Sequence, residues 1–307
     1  MKSVLFIGIG SIAKRHIKNI RFLLGDNVNI SALRSGNGSA LEKETAEIID
    51  KICYGQNELE SYYDIIFITN PTGCHYETLK EYKNMSDAFF IEKPVFVTGE
   101  EDIADFDEHK KIFYVACPLR YTKVMEYLER TMDFSKVHAI RCISSSYLPD
   151  WRQGADYRKC YCAHKSMGGG VSIDLIHEWD YICRLVGFPK KVVSIISKKS
   201  TLEIDSDDIA VYIAEYSDKV VELHLDYFGR APQRKIEIFT EDDVVIGDFI
   251  NQTITYKITG KEINFGEIRN DFYISEMEHF LDMVDGKRDS DHTLEQACKV
   301  LRIARGV

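Results

Sequence analysis

The chain has 307 residues, 45% of them hydrophobic and 29% charged, which is the composition of an ordinary globular protein of about two domains. The formal net charge of −10 argues against a nucleic-acid-binding protein, because phosphate contacts need clustered lysine and arginine. No stretch approaches the roughly 18 apolar residues of a transmembrane helix. The short apolar N-terminus runs into a glycine turn, unlike a signal peptide, so we expect a cytoplasmic protein without membrane attachment.

Eight cysteines stand at positions 53, 74, 117, 142, 160, 162, 183 and 298, and none of them forms a C-x-x-C pair. The segment Cys160-Tyr161-Cys162 is too close for the usual zinc spacing, and no second pair accompanies it. We therefore expect no metal site, and reduced thiols of the kind found in cytosolic enzymes.

The N-terminus has the order strand, glycine turn and helix. Residues 4–7 are apolar, a G-x-G-x-x-A sequence follows, and apolar residues then recur at helical spacing. The first glycine allows a tight turn, the second lets the backbone approach a pyrophosphate, and the alanine lets the helix pack close to the strand. Free N–H groups at the helix start attract phosphate, so we predict a dinucleotide site rather than an ordinary βα turn. The predicted cofactor contacts here are Gly8, Gly10, Ser11, Ile12 and Ala13.

The end of the second strand bears on the choice of cofactor. Residues 28–33 are predicted as this strand, and it is followed by Arg34 and Ser35. Arg34 lies 34 − 13 = 21 positions after Ala13, about where an NAD-preferring site carries an acidic residue. A guanidinium can hold a 2′-phosphate through two hydrogen bonds. We predict NADP(H) over NAD(H), the alternative being that Arg34 is a solvated loop residue.

The other strands of this half end in polar residues. A helix is predicted over 39–51, a strand over 64–69, a helix over 76–84, and strands over 88–91 and 111–117. Ligands of open α/β sheets bind beyond the carboxyl ends of the strands, so the residues after two of these strands should lie near the cofactor. These residues are Asn70, Pro71, His75, Glu92 and Lys93.

Several motifs occur together along the chain: the G-x-G-x-x-A turn, Asn70-Pro71-Thr72-x-x-His75, Glu92-Lys93-Pro94 and Arg120-Tyr121. In this order they resemble the Gfo/Idh/MocA family of oxidoreductases, which includes glucose–fructose oxidoreductase and inositol dehydrogenase. The resemblance implies an α/β fold with an N-terminal Rossmann dinucleotide-binding domain over 1–118. It also implies a C-terminal α/β domain over 119–307, with a large open, mostly antiparallel mixed sheet for substrate binding and oligomerisation. A homodimer or homotetramer through that sheet is expected.

The second half begins with a predicted helix over 124–134 and a long strand over 136–147. A loop over 148–158 follows, rich in aromatic and basic residues. Its aromatic rings offer flat faces to a sugar, and its cations could hold a carboxylate or phosphate, although an ordinary surface loop is an equal alternative. The candidate substrate-binding residues are Arg120, Trp151, Arg152, Tyr157, Arg158 and Lys165.

A triple glycine at 168–170 opens a predicted helix that continues to about residue 185. Asp174 and His177, three positions apart, would share one helical face, where the acid can orient the histidine and raise its basicity. Such a pair can transfer a proton near neutral pH. The family resemblance agrees and adds Lys93, so the candidate catalytic residues are Lys93, Asp174 and His177. The commoner family pattern spaces the acid and histidine by four, whereas here they are three apart. The loop over 147–151 and the helix segment over 174–178 look more like members associated with bacterial surface-sugar pathways.

The rest of the chain is predicted as sheet and two final helices. Strands are expected over 209–216, 221–227, 235–239 and 253–258, and helices over 272–284 and 293–307. Thr293 and Gln296 have the spacing of a capping box at the start of the last helix.

These features predict an oxidoreductase that transfers a hydride between a nicotinamide cofactor and a sugar, sugar nucleotide or polyol. One alternative is a glycosidase or lyase that holds the nicotinamide tightly and recycles it. Another is a non-catalytic nucleotide-binding sensor, which would not need a lysine, an aspartate and a histidine of this kind.

Overall fold

The computed structural model describes residues 1–36, 40–152 and 154–307. Within them a first sheet of six parallel strands has the order β3-β2-β1-β4-β5-β6. The strands are β1 (Lys2–Ile7), β2 (Val28–Leu33), β3 (Lys51–Cys53), β4 (Ile65–Ile68), β5 (Ala88–Ile91) and β6 (Ile112–Val115). This is the strand order of the Rossmann fold, and the chain reverses its direction of travel across the sheet between β1 and β4.

The helices that follow these strands are α1 (Ser11–Leu24), α2 (Lys43–Glu47) and α3 (Thr72–Tyr82). Ala13, Ile17 and Ile20 are fully buried along one face of α1, as the helical spacing of apolar residues predicted. The helix predicted over 39–51 is wrong in most of its length. Residue 39 lies outside the described residues, the helix is only α2, and residue 51 already begins β3, because pairing with β2 competes successfully with local helix propensity.

The second sheet has eight strands within the described residues, in the order β14-β13-β12-β11-β7-β10-β9-β8. Every neighbouring pair is antiparallel except β7 and β10, so the expected mostly antiparallel mixed sheet is confirmed. Three of these strands, β8, β12 and β14, were not predicted from sequence. The strands are β7 (Val137–Tyr147), β8 (Lys191–Ser197), β9 (Ile209–Glu215), β10 (Val220–Asp226), β11 (Phe228–Thr240), β12 (Val244–Asp248), β13 (Thr253–Tyr256) and β14 (Glu262–Asn264).

Among the residues that the structure describes, the second half of the chain has five further helices: α4 (Lys123–Thr131), α5 (Val171–Asp174), α6 (His177–Val186), α7 (Asp271–Val284) and α8 (Leu294–Arg305). The single helix predicted after the triple glycine is wrong, because it is interrupted between α5 and α6. Leu175 leaves helical geometry there, with φ −97° and ψ 31°. The capping box of α8 is confirmed: Thr293 N–H donates to the Gln296 side chain, and Gln296 N–H donates to Thr293 Oγ1.

The chain divides into two compact units. The first comprises Met1–Cys117 and Tyr273–Lys299, and the second comprises Pro118–Phe272 and Val300–Val307. The expected division into domains over 1–118 and 119–307 stays a prediction. Among the described residues, no helix has both the length and the apolar character needed to cross a membrane.

Candidate active site

The glycine turn lies where β1 ends, at the point where the first sheet changes direction. Gly8 has φ +89°, and a Cβ on it would lie 2.6 Å from the Cα of Asn70. Its N–H donates to the carbonyl of Leu33 at 3.1 Å, and its carbonyl accepts the Thr69 hydroxyl at 2.7 Å. The turn is therefore held between the ends of β2 and β4, in a conformation that a residue with a side chain would strain.

The N-terminus of α1 opens from this turn. Gly10 is its N-cap. Within the described residues, no side-chain hydrogen bond caps this end of the helix, and its first turn has no acidic residue. A Cβ on Gly10 would meet no described heavy atom within 4 Å. Ser11 is exposed, Ile12 is half-buried and Ala13 is buried against the sheet. Uncapped N–H groups facing open space fit the pyrophosphate of a dinucleotide.

Arg34 and Ser35 follow directly after β2. Arg34 is half-buried, and its N–H donates to the carbonyl of Cys53 in the neighbouring β3 at 2.9 Å. Ser35 is exposed. The backbone of Arg34 is thus fixed at the carboxyl edge of the sheet, which is the edge that carries the glycine turn.

His75 is 1% exposed and lies beneath this edge. Its Nε2 is 2.9 Å from the carbonyl oxygen of Asn70, and its Nδ1 is 3.1 Å from that of Val95. Burial lowers the pKa of His75. The ring therefore connects the segments after β4 and β5, at the edge of the sheet where the cofactor is predicted to bind. The preceding Pro71 is exposed at the N-terminus of α3.

Glu92 begins the segment after β5 and pairs with a buried histidine of α1. His16 Nε2 donates to its Oε1 at 2.6 Å, and the N–H of Lys93 donates to its Oε2 at 3.2 Å. Burial by itself raises the pKa of Glu92, but the hydrogen bond and charge of His16 outweigh burial and leave this pKa below its ordinary value. The half-buried Lys93 therefore extends from a segment anchored to α1.

In the second unit, two tyrosines hold the carboxylate of Asp174. The hydroxyl of Tyr161 donates to Oδ1 at 2.6 Å, and the hydroxyl of Tyr227 donates to Oδ2 at 2.5 Å. Tyr227 is fully buried, and burial together with the nearby Asp174 charge raises its pKa well above the ordinary value, so it stays a donor. His177 is half-buried and is the first residue of α6, and two residues separate it from the end of α5.

Two buried ion pairs fix the first turn of α6. The guanidinium of Arg234 donates to both oxygens of Glu178, at 2.6 and 3.2 Å. Arg120 donates to both oxygens of Asp180, at 2.7 and 2.6 Å. The Arg120 side chain is 6% exposed and is bound to Asp180 of α6. Its predicted contact with substrate stays a prediction.

A cavity of about 300 Å³ lies in the second unit. Trp151, Arg152 and Tyr157 line it, as does Tyr161, which bonds to Asp174. The ring of Trp151 meets that of Tyr227 edge-on, with 5.2 Å between centroids. Three of the predicted substrate residues are thus brought together in one cavity, and Tyr161 in its wall bonds to the predicted catalytic carboxylate.

The other two predicted substrate residues lie elsewhere. Arg158 pairs with Asp156 at 2.8 Å and with Glu203 at 3.0 Å. Lys165 lines a second cavity of about 240 Å³, whose wall includes Asp207. Burial raises the pKa of Asp207.

The expectation of reduced thiols is wrong for one pair of cysteines. Cys160 and Cys162 form a disulfide, and both line the 300 Å³ cavity. The sequence spacing disfavoured a zinc site but said nothing about the distance between the two sulfurs, which the turn of the chain determines. The remaining cysteines are free thiols, buried at 53, 117, 142, 183 and 298 and exposed at 74.

Comparison with known proteins gives a match in structure and none in sequence. No protein-family model matches the chain, and no curated protein does. Levoglucosan dehydrogenase in complex with NADH matches with a TM-score of 0.82 and 16% identity, over 100% of this chain and 95% of that chain. UDP-N-acetylglucosamine 3-dehydrogenase GnnA from Acidithiobacillus ferrooxidans matches with a TM-score of 0.77 and 19% identity, over 100% and 96%. The WlbA dehydrogenase from Bordetella pertussis, in complex with NADH and UDP-GlcNAcA, matches with a TM-score of 0.76 and 14% identity, over 100% and 97%.

The chain has the fold of the Gfo/Idh/MocA-type dehydrogenases. Within this Gfo/Idh/MocA fold, sequence reasoning missed the residues that hold the predicted functional groups in place. His16, a polar residue on the buried face of α1, was a visible signal for an acidic partner, which is Glu92. No local pattern marked Tyr161 or Tyr227, because their contact with Asp174 joins distant parts of the sequence.

Proposed function

We propose that this protein is an NAD(P)-dependent oxidoreductase that transfers a hydride between the nicotinamide and a carbinol or carbonyl carbon of a sugar, sugar nucleotide or polyol. The observation that carries the proposal is the glycine turn at the N-terminus of α1, where Gly8 makes the tight turn and Gly10 leaves room for a pyrophosphate. It occurs in a chain that matches sugar dehydrogenases of the Gfo/Idh/MocA fold over its whole length.

A bound nicotinamide cofactor supplies the acceptor or donor of the hydride, and the residues of the chain handle the proton. His177 is the proposed general base, which takes the proton of the substrate hydroxyl in oxidation and returns it in reduction. Asp174, held by two tyrosine hydroxyls, is the proposed orienting carboxylate. Lys93 is proposed to donate a hydrogen bond to the reacting oxygen and to stabilise its developing negative charge.

The activity is tested by following NAD(P)H absorbance with UDP-N-acetylglucosamine, inositols and anhydro-sugars as candidate substrates. Turnover by the wild type, its loss in His177→Ala and its retention in His138→Ala, a change at an exposed histidine of β7, would support the proposal. A cofactor that co-purifies and is not consumed while a glycosidic bond is cleaved would favour the redox-recycling glycosidase or lyase. Cofactor binding with no turnover of any sugar would favour the sensor.

We further propose that NADP(H) is preferred over NAD(H), with Arg34 and Ser35 holding the 2′-phosphate. The position of Arg34 directly after β2 and its fixed backbone support this assignment. Fluorescence titration should give tighter binding of NADPH than of NADH, and Arg34→Ala should remove the difference. Arg130→Ala in α4 is the matched control. Equal binding of both cofactors by the wild type would contradict the preference.

The proposed substrate site is the 300 Å³ cavity. Trp151 and Tyr157 offer aromatic faces to a sugar ring, and Arg152 and Lys159 offer cations to a phosphate or carboxylate. This combination fits a sugar nucleotide better than a neutral polyol, and we place the reaction in bacterial surface-sugar biosynthesis in the cytoplasm. Trp151→Ala should raise KM for a sugar nucleotide more than it lowers kcat.

A homodimer or homotetramer through the second sheet is also proposed. Val193 and Ile195 on β8 are 57% and 64% exposed, and Ile213 on β9 is 46% exposed. Val193 is paired in register with Ile213. Apolar side chains clustered in this way are typical of an interaction surface. Light scattering should show an oligomer for the wild type and a smaller species for Ile195→Glu. A monomeric wild type would contradict this proposal.

A further inference from the structure

We propose that Cys160 and Cys162 are a reversible redox site that controls the position of Tyr161 and the shape of the 300 Å³ cavity. The Cα atoms of the two cysteines are 5.4 Å apart, within the range that a disulfide spans. Only Tyr161 separates them in sequence, so the bond closes a small ring that contains the whole backbone of this tyrosine. All three residues line the cavity.

One side of this ring is fixed by packing. The carbonyl oxygens of Tyr161 and Cys162 rest against Gly169, where a Cβ would lie 2.2 and 2.6 Å from them. The hydroxyl of Ser206 donates to the carbonyl of Cys162 at 2.6 Å. Cys162 is 4% exposed, whereas Cys160 is half-buried. If the disulfide opens, Cys160 is therefore the residue that moves.

The mobile side of the ring continues into the wall of the cavity. The N–H of Cys160 donates to the carbonyl of Tyr157 at 3.2 Å, and Asp156, Tyr157 and Lys159 line the cavity. Tyr161 connects the same ring to Asp174 through its hydroxyl. The redox state of the two sulfurs can thus reach both the cavity wall and the carboxylate proposed to orient His177.

The chemistry requires a dithiol reductant or, in the other direction, a disulfide oxidant. A thiolate of the reductant attacks the more exposed sulfur, that of Cys160, and Cys162 leaves as a thiolate that takes up a proton. The second thiol of the reductant then displaces Cys160 and completes its own disulfide. Two electrons pass from the reductant to the cysteine pair, and the reverse exchange restores the bond. Disulfides of cytosolic proteins are commonly transient and redox-sensing, which fits a switch.

The first measurement counts thiols in the full-length protein. After mild oxidation, alkylation under denaturing conditions should label six cysteines, and after reduction with a phosphine it should label eight, as mass spectrometry reports. Cys74→Ser removes an exposed thiol outside the pair, so it should lower both counts by one and keep the difference of two. Eight labels in both states would overturn the proposal.

The second measurement reads the cavity without a substrate. The chain has two tryptophans: Trp179 is fully buried, whereas Trp151 lines the cavity and is 40% exposed. Acrylamide quenching of fluorescence should therefore report Trp151, and the quenching constant should rise on reduction. Trp151→Phe should abolish the change.

The variant with both cysteines replaced by serine should match the reduced wild type in buffer without reductant. If this variant does not fold, the comparison of oxidised and reduced wild type still decides the question. Equal quenching of the two wild-type states would refute control of the cavity. Redox control of turnover rests on the proposed function, and a change in quenching without turnover would mean that the switch exists and the proposed function fails.

Discussion

Replacing Gly8 with alanine should lower the stability of the folded protein by straining the turn at the proposed nucleotide site. Gly8 has φ +89°, and left-handed backbone costs a residue with a side chain about 1–2 kcal/mol. The new Cβ would also lie 2.6 Å from Asn70 Cα and 2.8 Å from Asn70 N, which are backbone atoms of the segment after β4 and cannot rotate away as a side chain could. Overpacking of this kind costs about 1–3 kcal/mol. The two costs together predict a loss of about 2–5 kcal/mol in the free energy of unfolding.

Urea denaturation followed by circular dichroism measures this loss, and Gly10→Ala is the matched control. Gly10 has φ −85°, and an added Cβ would meet no described heavy atom within 4 Å, so the loss of stability should be about 1 kcal/mol or less. The same Cβ would occupy the space proposed for the pyrophosphate, so NADPH should bind about tenfold more weakly or worse. Wild-type stability in Gly8→Ala, or wild-type NADPH affinity in Gly10→Ala, would refute the reasoning.

Three further predictions concern the proposed catalytic groups and their supports. His177→Ala should lower kcat by about 10²–10⁴-fold and leave NADPH binding unchanged in a fluorescence titration; joint loss of both would make the residue structural. Tyr227→Phe removes a hydrogen bond of 2.5 Å to Asp174 and should cost about 1.5–3 kcal/mol in urea denaturation, whereas no loss would contradict the proposed hold on this carboxylate. Because the pKa of Glu92 is lowered in the folded state, its pairing with His16 stabilises the protein above the ordinary value of 4.5 and stops doing so as pH falls below it. The stability difference between wild type and Glu92→Gln should therefore be largest above pH 4.5 and shrink on acidification, and a constant difference would show that the Glu92 charge is not involved.

Local patterns in the sequence were enough to determine the βαβ framework of the first sheet. The apolar run of β1, the glycine turn and the spacing of apolar residues in α1 are adjacent in sequence, and so they report the βαβ unit directly. The reciprocal cap between Thr293 and Gln296 was equally local. The motifs at the ends of β4 and β5 carried the resemblance to the Gfo/Idh/MocA fold, and with it the mixed sheet of the second unit.

Tertiary structure decided what depends on contacts between distant residues. The tyrosines that hold Asp174 come from positions 161 and 227, and Arg234 on β11 reaches Glu178 in helix α6, so no periodicity could reveal either contact. The short strands β12 and β14, of 5 and 3 residues, depend on their neighbours for hydrogen bonds, and so short a run gives a weak local signal. The sequence alone therefore determined which chemical groups are present and the framework that carries them, whereas long-range hydrogen bonds and strand pairing decided which of those groups meet.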